Sequence, residues 1–131
     1  MATIKNYTDL EQSRKLAEIL PIESADQTWA RIAIAGANLD VPEELQYRHN
    51  GDMPFKYYSG ICTPCWSLAS LVGVLPDELE DNHFLTLQKE KNEYCCCYED
   101  INGNSFRHTF ADNPVDACVA MIEKLHELKI L

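Results

Sequence analysis

The sequence predicts a small α+β domain in which a three-stranded antiparallel meander packs against helices, with one further strand near the N-terminus. Three stretches predict it. Thr63 to Pro76, TPCWSLASLVGVLP, sets Cys65, Leu68, Val72 and Leu75 at the spacing of one helical face. Residues 94–110 hold two β-prone runs on either side of Asn102-Gly103, the dipeptide of a tight hairpin. Asn113-Pro114 then opens a strongly amphipathic run to the C-terminus. The 131 residues are read as one domain, 1–131, long enough to build a core without metal or disulfide staples.

In chain order, Thr8 followed by Glu11 makes a capping box for a helix from Asp9 to Ile19, stopped by Pro21. Glu11–Lys15 and Arg14–Glu18 are opposite-sign pairs on its exposed side. After a turn over 21–26, Thr28 to Ile34 alternates as a strand that Gly36 closes. Residues 37–61 have no clear period: a helical turn is expected near Val41–Leu45, a bend at His49–Asp52, and an aromatic segment at Met53–Tyr58. Long irregular connections of this kind often serve as binding loops. Phe55, Tyr57 and Tyr58 are therefore the interaction candidates, because tyrosine couples a large contact area to one polar end.

The central helix is expected to take Thr63 as its cap and Pro64 in its first turn. Asp77–Asp81 follows as an acidic connector, without the glycine spacing of a calcium loop. The meander strands are placed at Phe84–Lys89, Tyr94–Glu99 and Ser105–Phe110. A two-residue Asn102-Gly103 loop sets Cys95 opposite Phe110, Cys96 opposite Thr109, Cys97 opposite His108, Tyr98 opposite Arg107 and Glu99 opposite Phe106. In the last helix Asn113 caps, Asp116 complements the dipole, and Val115, Cys118, Val119, Ile122 and Leu125, with flanking Met121 and Leu128, form the buried side.

Charge narrows the function. Eleven Lys plus Arg against 21 Asp plus Glu leave a net charge of −10, which opposes binding to a nucleic-acid backbone. No apolar run approaches the roughly 18 residues of a membrane span, and residues 1–15 lack the apolar core of a secretory signal. A cytoplasmic protein with reduced, partly buried cysteines is expected, acting on a protein partner or on itself, with no membrane and no cofactor.

Four constellations bear on chemistry. Cys62-Thr63-Pro64-Cys65 is a lone CxxC ahead of a helix, where a helix N-terminus would lower a thiol pKa, but little sequence suggests the strand that a redox enzyme places before it. Cys62, Cys65, Cys97 and His108 are the thiol or metal candidates, although no second CxxC completes a four-ligand site and no metal is assigned. Ser67 stands in no nucleophile elbow, and His126 sits at the boundary of the last helix. No phosphate loop or dinucleotide fingerprint occurs, and no catalytic residue is assigned.

Four segments carry a resemblance: Asn6-Tyr7-Thr8-Asp9-Leu10-Glu11-Gln12-Ser13-Arg14-Lys15-Leu16, Glu23-Ser24-Ala25-Asp26, Pro64-Cys65-Trp66-Ser67-Leu68-Ala69-Ser70-Leu71, and Asn113 to Ile122. Together they resemble a family of small uncharacterised proteins of Bacteroides-type gut bacteria and their mobile elements and prophages. That family's central motif reads PAWSLGAL or PCWSLGAL, so Ala69 departs from its usual glycine. Members with alanine in place of Cys65 imply that a cysteine-dependent reaction is not general to the family. The function expected is a non-enzymatic protein-interaction or regulatory module. The alternative is a small enzyme or ligand-binding domain with its site near the aromatic loop and the CxxC segment.

Overall fold

The computed structural model describes residues 4–31, 46–50, 62–80 and 82–131, with residues 30, 31, 46–50 and 62 described by backbone alone. It is an α+β structure. The chain divides at Asp9 and again at Ser67 into two compact units, each described by itself below. Among the described residues no helix is long and apolar enough to cross a membrane.

The unit between Asp9 and Trp66 begins with α1 (Leu10–Leu16). Its cap is Asp9 rather than Thr8: the Asp9 carboxylate accepts from the Gln12 N–H at 2.8 Å, and Gln12 Oε1 accepts from the Asp9 N–H at 3.1 Å. The expected box is thus present one residue later, and Thr8 is buried. Ser13 and Leu16 form the buried side, while Glu11 and Lys15 lie 3.8 Å apart on the exposed one.

A short 3-10 turn (Ile22–Ser24) leads into β1 (Gln27–Arg31), which lies between β2 (Gln46–Asn50) and β3 (Cys62–Cys65) in an antiparallel sheet. His49 and Asn50 therefore belong to a strand where a bend was expected. The expected strand residues Ile32–Ile34, the turn at Val41–Leu45 and the aromatic segment at Met53–Tyr58 lie outside the described residues.

The central helix requires correction. Thr63 and Pro64 are not its cap and first turn: Cys62–Cys65 is an edge strand paired with β1, with Pro64 opposite Thr28. Proline is tolerated at a sheet edge, where its missing N–H need face no partner. Trp66 follows in extended backbone, fully buried, and its indole N–H donates to Ser24 Oγ at 2.9 Å. Local helical spacing has lost here to strand pairing and a buried indole.

The second unit holds residues up to Thr8 together with Ser67–Leu131. In it α2 (Leu68–Val74) starts at Ser67, whose hydroxyl accepts from the Ser70 N–H at 3.2 Å. The N-terminal segment bridges at Tyr7 to Ser67, and the Leu68 N–H donates to the Asn6 carbonyl. Shortening the helix moves its buried side to Leu71 and Leu75 and leaves Val72 38% exposed.

β4 (Glu78–Leu79), β5 (His83–Glu90), β6 (Glu93–Glu99) and β7 (Ser105–Ala111) form a four-stranded antiparallel sheet in sequence order. The expected meander is β5–β6–β7, and the acidic connector contributes the short strand β4. Against β6 and β7 packs α3 (Pro114–Glu127), and α2 packs on α3. Asn113 caps α3 by accepting from the Asp116 N–H at 2.8 Å, with Pro114 in the first turn, as expected. Val115, Cys118, Val119, Met121, Ile122 and Leu125 are all buried, but Leu128, expected with them, is 47% exposed because the helix ends at Glu127 and Leu128 is its C-cap.

Candidate functional site

The β6–β7 hairpin decides what the sheet presents. Its loop has three residues, Ile101-Asn102-Gly103, not two. The Asp100 N–H donates to the Asn104 carbonyl, and only Gly103 among these loop residues has a positive φ, +83°. A two-residue type I′ loop would need positive φ at both central positions, and asparagine at 102 does not adopt it. The register near the loop is therefore shifted by one: Glu99 opposes Ser105 and Tyr98 opposes Phe106.

A β-bulge then absorbs the shift. Arg107 (φ +54°) and His108 together face Cys97, and from there the expected pairs hold: Cys96 with Thr109 and Cys95 with Phe110. The extra residue parts the two aromatics. Phe106 moves to the Tyr98 side, 6.5 Å between ring centroids, while Phe110 stays on the opposite side.

One side of the sheet carries Leu85, Leu87, Tyr94, Cys96, Tyr98 and Thr109. Here α3 covers Cys96 and Tyr98, and the Tyr98 hydroxyl donates to the Pro76 carbonyl at 2.8 Å. Burial raises the Tyr98 pKa above the usual tyrosine value. Thr109 Oγ1 lies 2.8 Å from the Ala117 carbonyl and 3.3 Å from the Cys96 carbonyl, joining helix to sheet.

The other side, among the described residues, exposes its two aromatic ends while Cys97 at its centre is buried. It carries Phe84, Thr86 and Gln88 from β5, Cys95, Cys97 and Glu99 from β6, and His108 and Phe110 from β7. Phe84 is 48% exposed and Phe110 59% exposed. His108 stacks parallel on Phe110 at 5.9 Å, with its Nε2 2.6 Å from Ser105 Oγ. At the β5–β6 turn a pocket of about 140 Å³ is lined by Gln88, Glu90, Lys91, Glu93, Cys95 and Phe110. Glu90 and Glu93 are directly paired across the strands, an arrangement of like charges that costs stability.

Family models, curated proteins and solved structures provide no match to the chain. Burial first, then the carboxylates of Glu93, Glu90 and Glu99, raise the Cys95 thiol, against a hydrogen bond with Cys97 that lowers it. Burial and the neighbouring Cys95 push Cys97 up to about 12. Both thiols therefore stay protonated near neutrality and are poor nucleophiles there.

The remaining candidates are placed as follows. Phe55, Tyr57 and Tyr58 lie outside the described residues, as does the side chain of Cys62. Cys65 is fully buried in β3, its sulfur 3.7 Å from Gln27 Oε1, and Cys62–Cys65 lies within a strand where a helix start was expected. Cys97 and His108 are cross-strand neighbours only through the bulge, and among the described residues no group of three His, Cys, Asp or Glu is placed to hold a metal ion. Ser67 serves as the α2 cap, and exposed His126 has Nδ1 3.2 Å from the Leu131 carbonyl.

Sequence reading missed Phe84 and Phe110 as exposed aromatics. The alternation on β5 already set Phe84 with Thr86 and Gln88. Nothing local marked the bulge that parts Phe106 from Phe110.

Proposed function

We propose that the chain is a non-enzymatic protein-interaction module whose open β5–β6–β7 surface receives a partner segment bearing an apolar side chain flanked by Lys or Arg. The observation that carries this reading is Phe110, an aromatic ring 59% exposed at the mouth of a pocket whose charged lining is two carboxylates and one ammonium. A cation seated between Glu90 and Glu93 relieves their cross-strand repulsion, and Phe110 supplies the apolar contact. The net charge of −10 favours encounter with a basic partner. The reading places the protein in the cytoplasm, and the family resemblance of its four motif segments adds a mobile-element origin.

The test uses a fluorescent peptide with one tryptophan between lysines, titrated into the whole chain at low and high salt. Saturable binding that weakens with salt, perturbs the backbone amides of Gln88, Cys95 and Phe110, and drops at least about tenfold in Phe110→Ala supports the proposal. Binding that is unaffected by Phe110→Ala, or maps elsewhere, overturns it. A dimer in sedimentation that Phe110→Asp dissociates, with no peptide binding, would make a second copy the occupant and overturn the basic-partner assignment.

A further inference from the structure

The β6–β7 hairpin pairs in one register near its loop and in another beyond its bulge. Past the bulge, Cys96 with Thr109 and Cys95 with Phe110 are the pairs that a two-residue Asn102-Gly103 loop sets. Only the stretch between Cys97 and His108 is paired differently. Sliding Asn104–Arg107 by one position along β6 would remove the extra loop residue and the bulge together. The bulged register carries two costs. Arg107 holds φ +54°, which a side chain with a Cβ rarely adopts, and among the described residues its buried Nε has no hydrogen-bond partner. Local contacts offset them. Asp100 Oδ1 accepts the N–H groups of Asn102 and Asn104, Arg107 Nη2 donates to Glu80 Oε1 at 2.9 Å, and Phe106 lies edge-on to His83 at 4.7 Å. Ser105 Oγ meets His108 Nε2, although residues three apart point to opposite sides of a regular strand.

We propose that this hairpin is a two-register switch, in which the slide of Asn104–Arg107 exchanges the bulge for regular pairing and turns Phe106 to the side that carries Phe84 and Phe110. In the regular register Glu99 faces Phe106, and Glu99 is already the partner of Phe84. Phe84, Glu99 and Phe106 then form one row across three strands, which enlarges the aromatic surface there. The Asn-Gly dipeptide favours this state, because a two-residue loop is the one it suits best. The Asp100 and Ser105–His108 bonds oppose it. Facing the buried Tyr98 also strips water from Arg107, which keeps the regular register the minor one. Strand pairings slip by whole residues, so the two registers are discrete states. Control of partner binding by this exchange rests on the partner reading; the exchange itself does not.

Two variants at one position separate the registers. Arg107→Gly and Arg107→Val both lose the guanidinium and its bond to Glu80, but glycine accepts a positive φ and a β-branched residue does not. Arg107→Gly is expected to keep the bulge, read as an NOE between the Phe106 and His83 rings. Arg107→Val is expected to lose that NOE and gain one from Phe106 to the Glu99 side chain. In the wild type, relaxation dispersion should report exchange at the amides of residues 98–107 and flat profiles at Cys95, Cys96, Thr109 and Phe110. Asp100→Ala should raise the minor population at least about fivefold.

Bulged pairing in Arg107→Val, regular pairing in Arg107→Gly, or flat profiles over residues 98–107 in both wild type and Asp100→Ala overturns the switch. Should Arg107→Val fail to fold, the wild-type and Asp100→Ala profiles decide alone. The tryptophan–lysine peptide then tests control of binding. At least about threefold tighter binding to Arg107→Val than to Arg107→Gly supports it, and equal binding overturns it. Exchange between registers with no peptide binding to any variant upholds the switch and sinks the partner reading.

Discussion

Asp100 organises the hairpin more than the Asn-Gly pair that first marks it. Its Oδ1 accepts the N–H groups of Asn102 and Asn104, each at 2.9 Å, and Oδ2 accepts from the Asn104 amide at 3.2 Å. Those bonds, with a smaller contribution from His83, hold its pKa below the usual value of 3.8. A carboxyl depressed in the folded state stabilises above its unfolded pKa, and the gain is lost as pH falls through the folded one. Asp100→Asn should therefore lower the urea midpoint at pH 7 and flatten the loss of stability below pH 4, measured by denaturant titration across that range. Cys97 has the opposite sign. Its thiol, raised from 9.0 to about 12, favours the folded state only while protonated, so stability falls as pH rises from about 9 to about 12. The slope from this group is about 1.4 kcal/mol per pH unit, to be checked by comparing wild type with Cys97→Ala by alkaline urea unfolding. Over the same rise Cys95, the more exposed thiol, should be alkylated before Cys97.

Two helices of the second unit differ in how plainly their starts are written. α3 has Asn113, Pro114 and Asp116 in consecutive capping roles, and nothing competes for them. α2 has two candidate starts, Thr63-Pro64 and Ser67, and the first is taken by strand β3. Ser67→Ala should cost about 1 kcal/mol by removing the hydroxyl that accepts from Ser70, and Asn113→Ala a similar amount. Thr63→Ala, which caps no helix, should stay within about 0.5 kcal/mol by thermal or urea unfolding. A larger loss at Thr63 than at Ser67 would return the helix to its earlier start. Trp66 is the reason a helical reading failed there: a buried indole bound to Ser24 holds Cys65-Trp66 extended, and its partner lies 42 residues away.

At the scale of the molecule, the two sides of the four-stranded sheet differ in burial. The α3 side is close-packed, and Ile122→Ala should cost about 2–5 kcal/mol through the cavity it leaves. Phe110→Ala, on the open side, should change stability by less than about 0.5 kcal/mol while removing peptide binding, which separates recognition from folding in one pair of variants. The helix-covered side was legible from periodicity, since Val115, Cys118, Val119, Ile122 and Leu125 recur at helical spacing and all are buried. The exposed aromatic face was not. Alternation alone puts Phe106 and Phe110 on one side, and a single bulged residue at Arg107 separates them.

The amino-acid order by itself determined the class of fold, the order and approximate span of the meander strands, and the whole of α3. Each depends on short-range signals: strand alternation, an Asn-Gly turn and side chains that bond the first turn of a helix. Tertiary structure alone decided that CTPC is a strand and that Phe110 faces out while Phe106 faces in. Those outcomes depend on pairing between residues far apart in the chain. One strand, one bulge and one helix packed on a sheet bring together side chains whose individual propensities favour no such meeting.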